Sequence, residues 1–187
     1  MNPFYSKEEL LKLGFQSVGK NNQISKLAKF YSAGGSIMGN NNRVDDYCLF
    51  KGRVELGNYI HIAGFCFLSG VGGYIKIEDY SGMSSHCSLF TAIEDFISPS
   101  LMSPAINEGY SNSIKGDIII KKAVKIGTHC IILPNLTMGY ASSASANTLI
   151  SRNVDEGAII GPKSRHFKVY GYRDLNKINE MKANFEK

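Results

Sequence analysis

From Met38 onward, an aliphatic side chain recurs at every sixth position, and the position four places after it is small or moderate in size. The clearest run starts the units Ile120-Lys-Lys-Ala-Val-Lys, Ile126-Gly-Thr-His-Cys-Ile, Ile132-Leu-Pro-Asn-Leu-Thr, Met138-Gly-Tyr-Ala-Ser-Ser and Ala144-Ser-Ala-Asn-Thr-Leu, and ends at Ile150. Two shorter runs begin at Leu56, Ile62 and Leu68 and at Ile77, Met83 and Leu89, with Gly70-Val-Gly-Gly73 between them. Weaker units start at Val18, Ile24 and Phe30 and continue through Met38, Val44 and Phe50. A six-residue period is too short for a helical hairpin or a propeller blade. It fits one face of a β-solenoid, whose unit puts its first side chain into a shared core and then turns. Grouping the units in threes predicts six triangular turns, stacked at the spacing of hydrogen-bonded strands. Such a solenoid needs several turns to be stable and needs caps at its ends.

The remaining segments divide the chain as one domain over 1–187. Residues 1–17 carry a short helix, announced by the capping-box spacing Ser6-Lys-Glu-Glu9 and by Leu10, Leu11 and Leu13 before Gly14. The hexads fill 18–161, and the segment 162–187 is a tail with Leu175, Ile178, Met181 and Phe185 on one helical face. That tail is expected to cover the C-terminal end or to reach a neighbour. Inside the solenoid the period vanishes over 93–117, a stretch with Glu94, Asp95 and Tyr110. A loop of that length with intact pattern on both sides points to function.

Four cysteines test the phase. Cys48, Cys66, Cys87 and Cys130 all fall at the fifth position of their units, where Ile60, Val124 and Thr148 stand elsewhere. A free thiol behaves as a small hydrophobe, and paired spacings of the Cys-x-x-Cys kind are absent, so neither a zinc nor a disulfide framework is indicated. Unpaired thiols, the lack of a signal-peptide pattern at Met1-Asn-Pro-Phe-Tyr and the lack of an apolar run near the roughly 18 residues of a membrane span make a cytoplasmic location the expectation. The formal charge is +5, concentrated towards the end in Arg152, Lys163, Arg165, His166, Lys168 and Arg173. No aromatic-and-basic motif for nucleic acid accompanies it; a phosphate-bearing small ligand explains it equally well.

The hexads, the mid-chain loop and the Gly161-Pro162 ending together resemble the left-handed β-helix, or hexapeptide-repeat, acyltransferases. Leu56-Gly-Asn-Tyr-Ile-His-Ile-Ala, Ile77-Glu-Asp-Tyr-Ser-Gly-Met-Ser-Ser and Thr91-Ala-Ile-Glu-Asp-Phe are similar to the sugar acetyltransferases of bacterial surface-polysaccharide pathways. The resemblance implies an all-β, left-handed parallel β-helix with short terminal helices, a homotrimer, and acetyl-CoA as co-substrate in the cleft between subunits. Many relatives place a catalytic His after a Thr-Ala pair in the loop. Here Thr91-Ala92 is followed by Ile93-Glu94-Asp95, so the base is absent or comes from elsewhere.

His86 stands one short stretch before the loop at an outward position, and an imidazole exchanges protons near neutral pH. Glu94 and Asp95 are the other catalytic candidates, as carboxylates that orient an amine or hydroxyl or take its proton. His61 and His129 also occupy outward positions. For the coenzyme, the resemblance assigns Thr128 and Ala146 to the pantetheine arm and Ser151-Arg152 to the adenine and its phosphates. Arg165 and Lys168 are cations for the 3′-phosphate, and His166 is a neighbour of it. A hydroxyl needs a well-placed base to attack a thioester, whereas a neutral amine needs only late proton removal. The missing loop His therefore favours N-acetylation, and the resemblance adds that the subgroup includes enzymes of the 4-amine of dTDP-4-amino-4,6-dideoxyglucose. Two alternatives stand beside it. One is an O-acetyltransferase of a polysaccharide or galactoside hydroxyl; the other is a non-catalytic or metal-binding hexapeptide protein, for which His61, His86 and His129 on three turns are the candidate ligands of a divalent ion.

Overall fold

The computed structural model describes residues 2–102, 105, 111–162 and 167–185. The hexads wind into a three-faced solenoid whose strands run parallel from each turn to the next. On the first face Val18, Met38, Leu56, Ile77, Ile120 and Met138 stack in register. The second stacks Ile24, Val44, Ile62, Met83, Ile126, Ala144 and Ile160. The third stacks Phe30, Phe50, Leu68, Leu89, Ile132 and Ile150. All but Phe30 of these are buried and form one continuous core. The hexad phase read from the sequence is thus the inward phase of the solenoid. A seventh, incomplete turn follows the expected six, from Val154 to Ile160. It is absent from the hexad count because Val154 follows Ile150 after four residues rather than six.

Most units spend two or three residues as strand and then bend sharply, whereas the strands Leu49–Leu56 and Phe67–Ile77 run on from the third face to the first. The bends are made by residues with positive φ, among them Tyr59, Tyr80, Ala123 and Ala141 between faces one and two, and Tyr47, Phe65, His86, His129 and Asn147 between faces two and three. Left-handed backbone is costly for bulky side chains. Here most bends are held by their own hydrogen bond, because the amide donates to a carbonyl one turn below: Phe65 N–H to Asp46 (3.1 Å), His86 to Gly64 (3.2 Å) and His129 to Ser85 (3.2 Å). The residue after each inward aliphatic is commonly Gly, since a side chain there meets the next turn's backbone. A Cβ at Gly39 would lie 2.3 Å from the Gly57 carbonyl oxygen. The four cysteines are fully buried in one column, each Sγ–H turned to a carbonyl of the turn above; Cys87, for example, donates to Gly127 at 3.1 Å. Hydrogen bonding with Cys48 and Cys87, together with burial, pushes the Cys66 thiol well above the usual range.

Both ends are capped. Helix α1 (Lys7–Lys12) carries the predicted capping box between Ser6 and Glu9. Its Leu10 is buried with Phe15, which stands edge-on to Phe30 over the first turn. At the other end the strand Phe167–Tyr172 pairs antiparallel with Ala158–Pro162 and closes the second face. Helix α2 (Leu175–Phe185) does not sit on that end. It runs back along the edge between faces one and two, where Arg173 donates to the carbonyls of Ala123 and Ala141 and Phe185 packs edge-on against Tyr59 and Tyr80. Among the described residues, no helix is long and apolar enough to cross a membrane.

Gly39→Ala is expected to lower stability by about 1–3 kcal/mol, because the backbone it meets cannot rotate away. Gly34, whose Cβ would meet nothing within 4 Å, should tolerate alanine within about 0.5 kcal/mol. Urea unfolding midpoints of the two variants check the contrast.

Candidate active site

The edge between faces two and three gathers three of the predicted site residues, His86, Thr128 and Ala146. Tyr47, Phe65, His86 and His129 stack ring on ring up this edge, with centroids 5.0, 4.9 and 4.8 Å apart. One residue before the bend on successive turns, the same edge shows Ser85 beside His86, Thr128 beside His129 and Ala146 beside Asn147. Thr128 Oγ1–H is tied down to the Ser85 carbonyl at 2.7 Å. Thr128 and Ala146 therefore lie on consecutive turns directly above His86. Ser151 and Arg152 follow Ile150 at the far side of the third face of the same upper turn. Lys168 is exposed on the strand that closes the second face. Arg165 and His166 lie outside the described residues, as does Tyr110.

The loop leaves from another edge. It departs after the third-face strand Ser88–Phe90 and returns to the first face at Ile118–Ile120. Its base is a short antiparallel hairpin of Ala92–Glu94 and Ser113–Lys115. Thr91 fixes the exit: it is fully buried, donates to the Ser69 carbonyl (2.9 Å) and accepts from the Gly72 amide (3.0 Å). Asp95 is occupied in holding the loop. Hydrogen bonds from the Ile97 amide, first, and from Ser98 and Asn112 keep its carboxyl below the ordinary range. Glu94 is different. Ser113 Oγ lies 3.5 Å from Oε1, and Oε2 is buried with no hydrogen-bond partner among the described residues. A buried carboxylate oxygen left unpaired is costly, and here it marks a place where a donor belongs.

The three catalytic candidates are not brought together within one chain. His86 sits at one end of the third face and the Glu94–Asp95 hairpin at the other, with three strand residues of about 3.3 Å each between them. Nor do His61, His86 and His129 converge. Among the described residues no group of three His, Cys, Asp or Glu side chains is placed to hold a metal ion, because His86 stacks on His129 while His61 stands on the second face.

His61 has a partner that sequence reading did not assign. Its Nε2 lies 2.9 Å from Asp45 Oδ2, and Arg43 Nε donates to Asp45 Oδ1 at 2.7 Å. Partial burial pushes the Asp45 carboxyl up, but the hydrogen bonds from His61 and Arg43 outweigh it and hold it below the usual range. The signal was present: Arg43 and Asp45 flank the inward Val44, and His61 follows Arg43 by three hexads, so the period itself places them side by side. Above His61, Gly82 has no side chain, and a cleft of about 450 Å³ opens between His61, Ala63, Ser84, Ser85 and Lys125.

No family model matches the chain. It is 32% identical over 150 residues to the dTDP-4-amino-4,6-dideoxy-D-glucose acyltransferase of Escherichia coli, covering 79% of this chain and 78% of that one. AntD, an N-acyltransferase from Bacillus cereus solved with dTDP and 3-hydroxybutyryl-CoA, is 40% identical, with a TM-score of 0.91 over 99% of this chain and 97% of that one. A variant of AntD in complex with dTDP-4-amino-4,6-dideoxyglucose and coenzyme A superposes with a TM-score of 0.89 at 39% identity, over 99% and 97% of the two chains. A maltose O-acetyltransferase from Clostridium difficile, 18% identical with a TM-score of 0.58 over 89% and 74%, shares the fold.

Because the folded Asp45 carboxyl is held low, its stabilising contribution is full above the unfolded value of about 4 and is lost as pH falls through the folded value. Wild-type protein should therefore lose more stability than Asp45→Asn between pH 5 and the acid limit. Urea midpoints measured down that range for both proteins test this; parallel curves would contradict it.

Proposed function

We propose that this chain, which belongs to the hexapeptide-repeat sugar acyltransferases as its Escherichia coli relative does, transfers an acyl group from acyl-CoA to the 4-amine of a dTDP-linked 4-amino-4,6-dideoxy sugar. The observation that carries this reading is the likeness to AntD along nearly the whole chain, since complexes of that protein hold both coenzyme A and this sugar nucleotide. Acetyl is the acyl group proposed, and surface-polysaccharide synthesis in the cytoplasm the setting.

In the reaction the amine nitrogen adds to the thioester carbonyl, the C–S bond breaks, and the coenzyme leaves as a thiol with the proton the nitrogen gives up. The pantetheine arm is assigned to the edge that bears Thr128 and Ala146, descending from the upper turns. Ser151, Arg152, Lys168 and Arg165 then serve the adenine and phosphates above it. An arm on that course brings the thioester to the level of His86, which makes this imidazole the proposed proton acceptor. Glu94 cannot reach the same edge in its own chain. A homotrimer that brings a neighbour's hairpin to this edge gives the unpaired Glu94 oxygen a substrate ammonium as its donor. Asp95 holds the hairpin that presents Glu94.

Thiol release from acetyl-CoA, with product mass, should be seen with dTDP-4-amino-4,6-dideoxyglucose and not with neutral sugars or galactosides; release with hydroxyl acceptors alone would turn the reading to O-acetylation. His86→Ala should cut kcat at least a hundredfold with acetyl-CoA affinity retained, and unchanged turnover would remove His86 as the proton acceptor. The double variant Arg165→Ala, Lys168→Ala should weaken CoA but not dephospho-CoA in calorimetric titration. Equal loss for the two ligands would deny these residues the 3′-phosphate.

A further inference from the structure

We infer that the buried cysteine column is a binding site for soft, two-coordinate metal ions with a filled d shell, such as Cu(I) and Hg(II). Cys48, Cys66, Cys87 and Cys130 each stand just before residues that pair in register from turn to turn, Leu49 with Phe67, Phe67 with Ser88 and Ser88 with Ile131. All four are fully buried. Each Sγ–H is aimed the same way, at a carbonyl of the turn above: Ala63 (3.1 Å), Ser84 (3.3 Å), Gly127 (3.1 Å) and Ser145 (3.1 Å). The same orientation on stacked turns sets the sulfurs in a row at the turn spacing, about 4.8 Å. Neighbouring thiols interact, Cys66 with Cys48 and Cys87, and Cys87 with Cys130.

The spacing decides what the row can hold. A disulfide wants its Cβ atoms about 3.8 Å apart, so closing one would draw two turns together by about 1 Å against the turns stacked on either side. A thiolate bond to Zn(II), an ion with a filled d shell, is about 2.3 Å, and two bonds of that length in a straight line span about 4.6 Å. Zinc itself takes four ligands in a tetrahedron, and among the described residues no three His, Cys, Asp or Glu side chains converge to begin one. A straight row of sulfurs offers two ligands to an ion placed between neighbours. Thiolate ligands also select soft ions, Cu(I) among them.

Binding needs no oxidant. With Hg(II), two S–H bonds break, two sulfur–metal bonds form and both protons leave, so the filled site is neutral and suits an apolar core. With Cu(I), one sulfur keeps its proton, one proton leaves, and the site is again neutral. Each cysteine directly follows an exposed bend residue, Tyr47, Phe65, His86 or His129, so the opening of one bend admits the ion. The column ends at Ala28 below and Thr148 above. Its sulfurs therefore form two separate pairs, Cys48 with Cys66 and Cys87 with Cys130, and hold two ions per chain. The upper ion stands directly behind His86 and His129.

Native mass spectrometry of the intact protein tests this, after loading with mercuric chloride, or anaerobically with Cu(I), and washing with excess glutathione. Two ions per wild-type chain should survive the wash, because a pair of linked thiols outcompetes single ones; survival of none overturns the inference. Two double variants then keep the same number of thiols in different places. Cys48→Ala with Cys66→Ala leaves Cys87 beside Cys130 and should hold one ion. Cys66→Ala with Cys130→Ala leaves Cys48 and Cys87 two turns apart and should hold none. Equal retention by the two overturns the inference. Alanine fits the column, since Ala28 is fully buried in it, and urea midpoints check that both variants fold. Proton release from wild type is a second readout that needs no variant: two per Hg(II) and one per Cu(I) are expected. One proton per Hg(II), the mark of single-thiol binding, overturns the inference, and so does Zn(II) that survives the wash as Hg(II) does.

Discussion

The whole molecule depends on the stacking of one turn on the next. Every parallel strand of the solenoid pairs with the turns above and below it, and most bends between strands are held in the same way, so nearly all backbone hydrogen bonding of the turns runs along the solenoid axis. That arrangement requires each turn to have the same cross-section as its neighbours. A core residue is therefore demanded at every sixth position, a residue able to take left-handed backbone at each bend, and little or no side chain just after each core residue. Gly39, Gly57 and Gly127 meet the last demand, each with backbone or a short side chain of the next turn within 2.7 Å of where a Cβ would sit. Burial of the aliphatic columns then supplies the main driving force.

Stacking also organises the chemistry. A side chain at a given hexad position finds its neighbours at the same position one turn away, so functional groups are arranged in columns. The ring column Tyr47, Phe65, His86, His129 and the cation column Arg43, His61, Lys125 are two such rows on adjoining parts of the surface. A long, thin co-substrate suits this geometry, because successive parts of it meet successive turns. What the columns cannot provide is convergence. Side chains on different edges of one prism point away from each other, and His86 and Glu94 are an example. A site needing both must use a second copy or a loop that crosses a face.

The inward phase, the buried cysteine column, the capping box of α1 and the place of the insertion were all legible along the chain, because each is a pattern within one hexad or one turn of helix. Thr128 and Ala146 were assigned by resemblance, and stacking sets them on one edge with His86. The Arg43–Asp45–His61 group was within reach of the same period, since three hexads make one turn here. The path of α2 was not, because an apolar helical face says what a helix wants to cover and not where that surface lies. Ala123 and Ala141, small residues at bends where other turns carry Tyr, leave the carbonyls that Arg173 binds open to it.

By itself the sequence determined a three-faced solenoid of hexads, its core and its interruption, because side-chain periodicity is local and a one-residue slip would turn every core residue outward. Only the tertiary structure decided which hexads meet. Ile62 pairs with Met83 twenty-one residues on, whereas Met83 pairs with Ile126, forty-three residues on, since the insertion lies between them. Loop lengths set those partners, and loop length carries no side-chain pattern. Lys125 thus reaches the neighbourhood of His61 and Ser84 through the register of stacked turns, and the cleft they share exists only once the turns are in place.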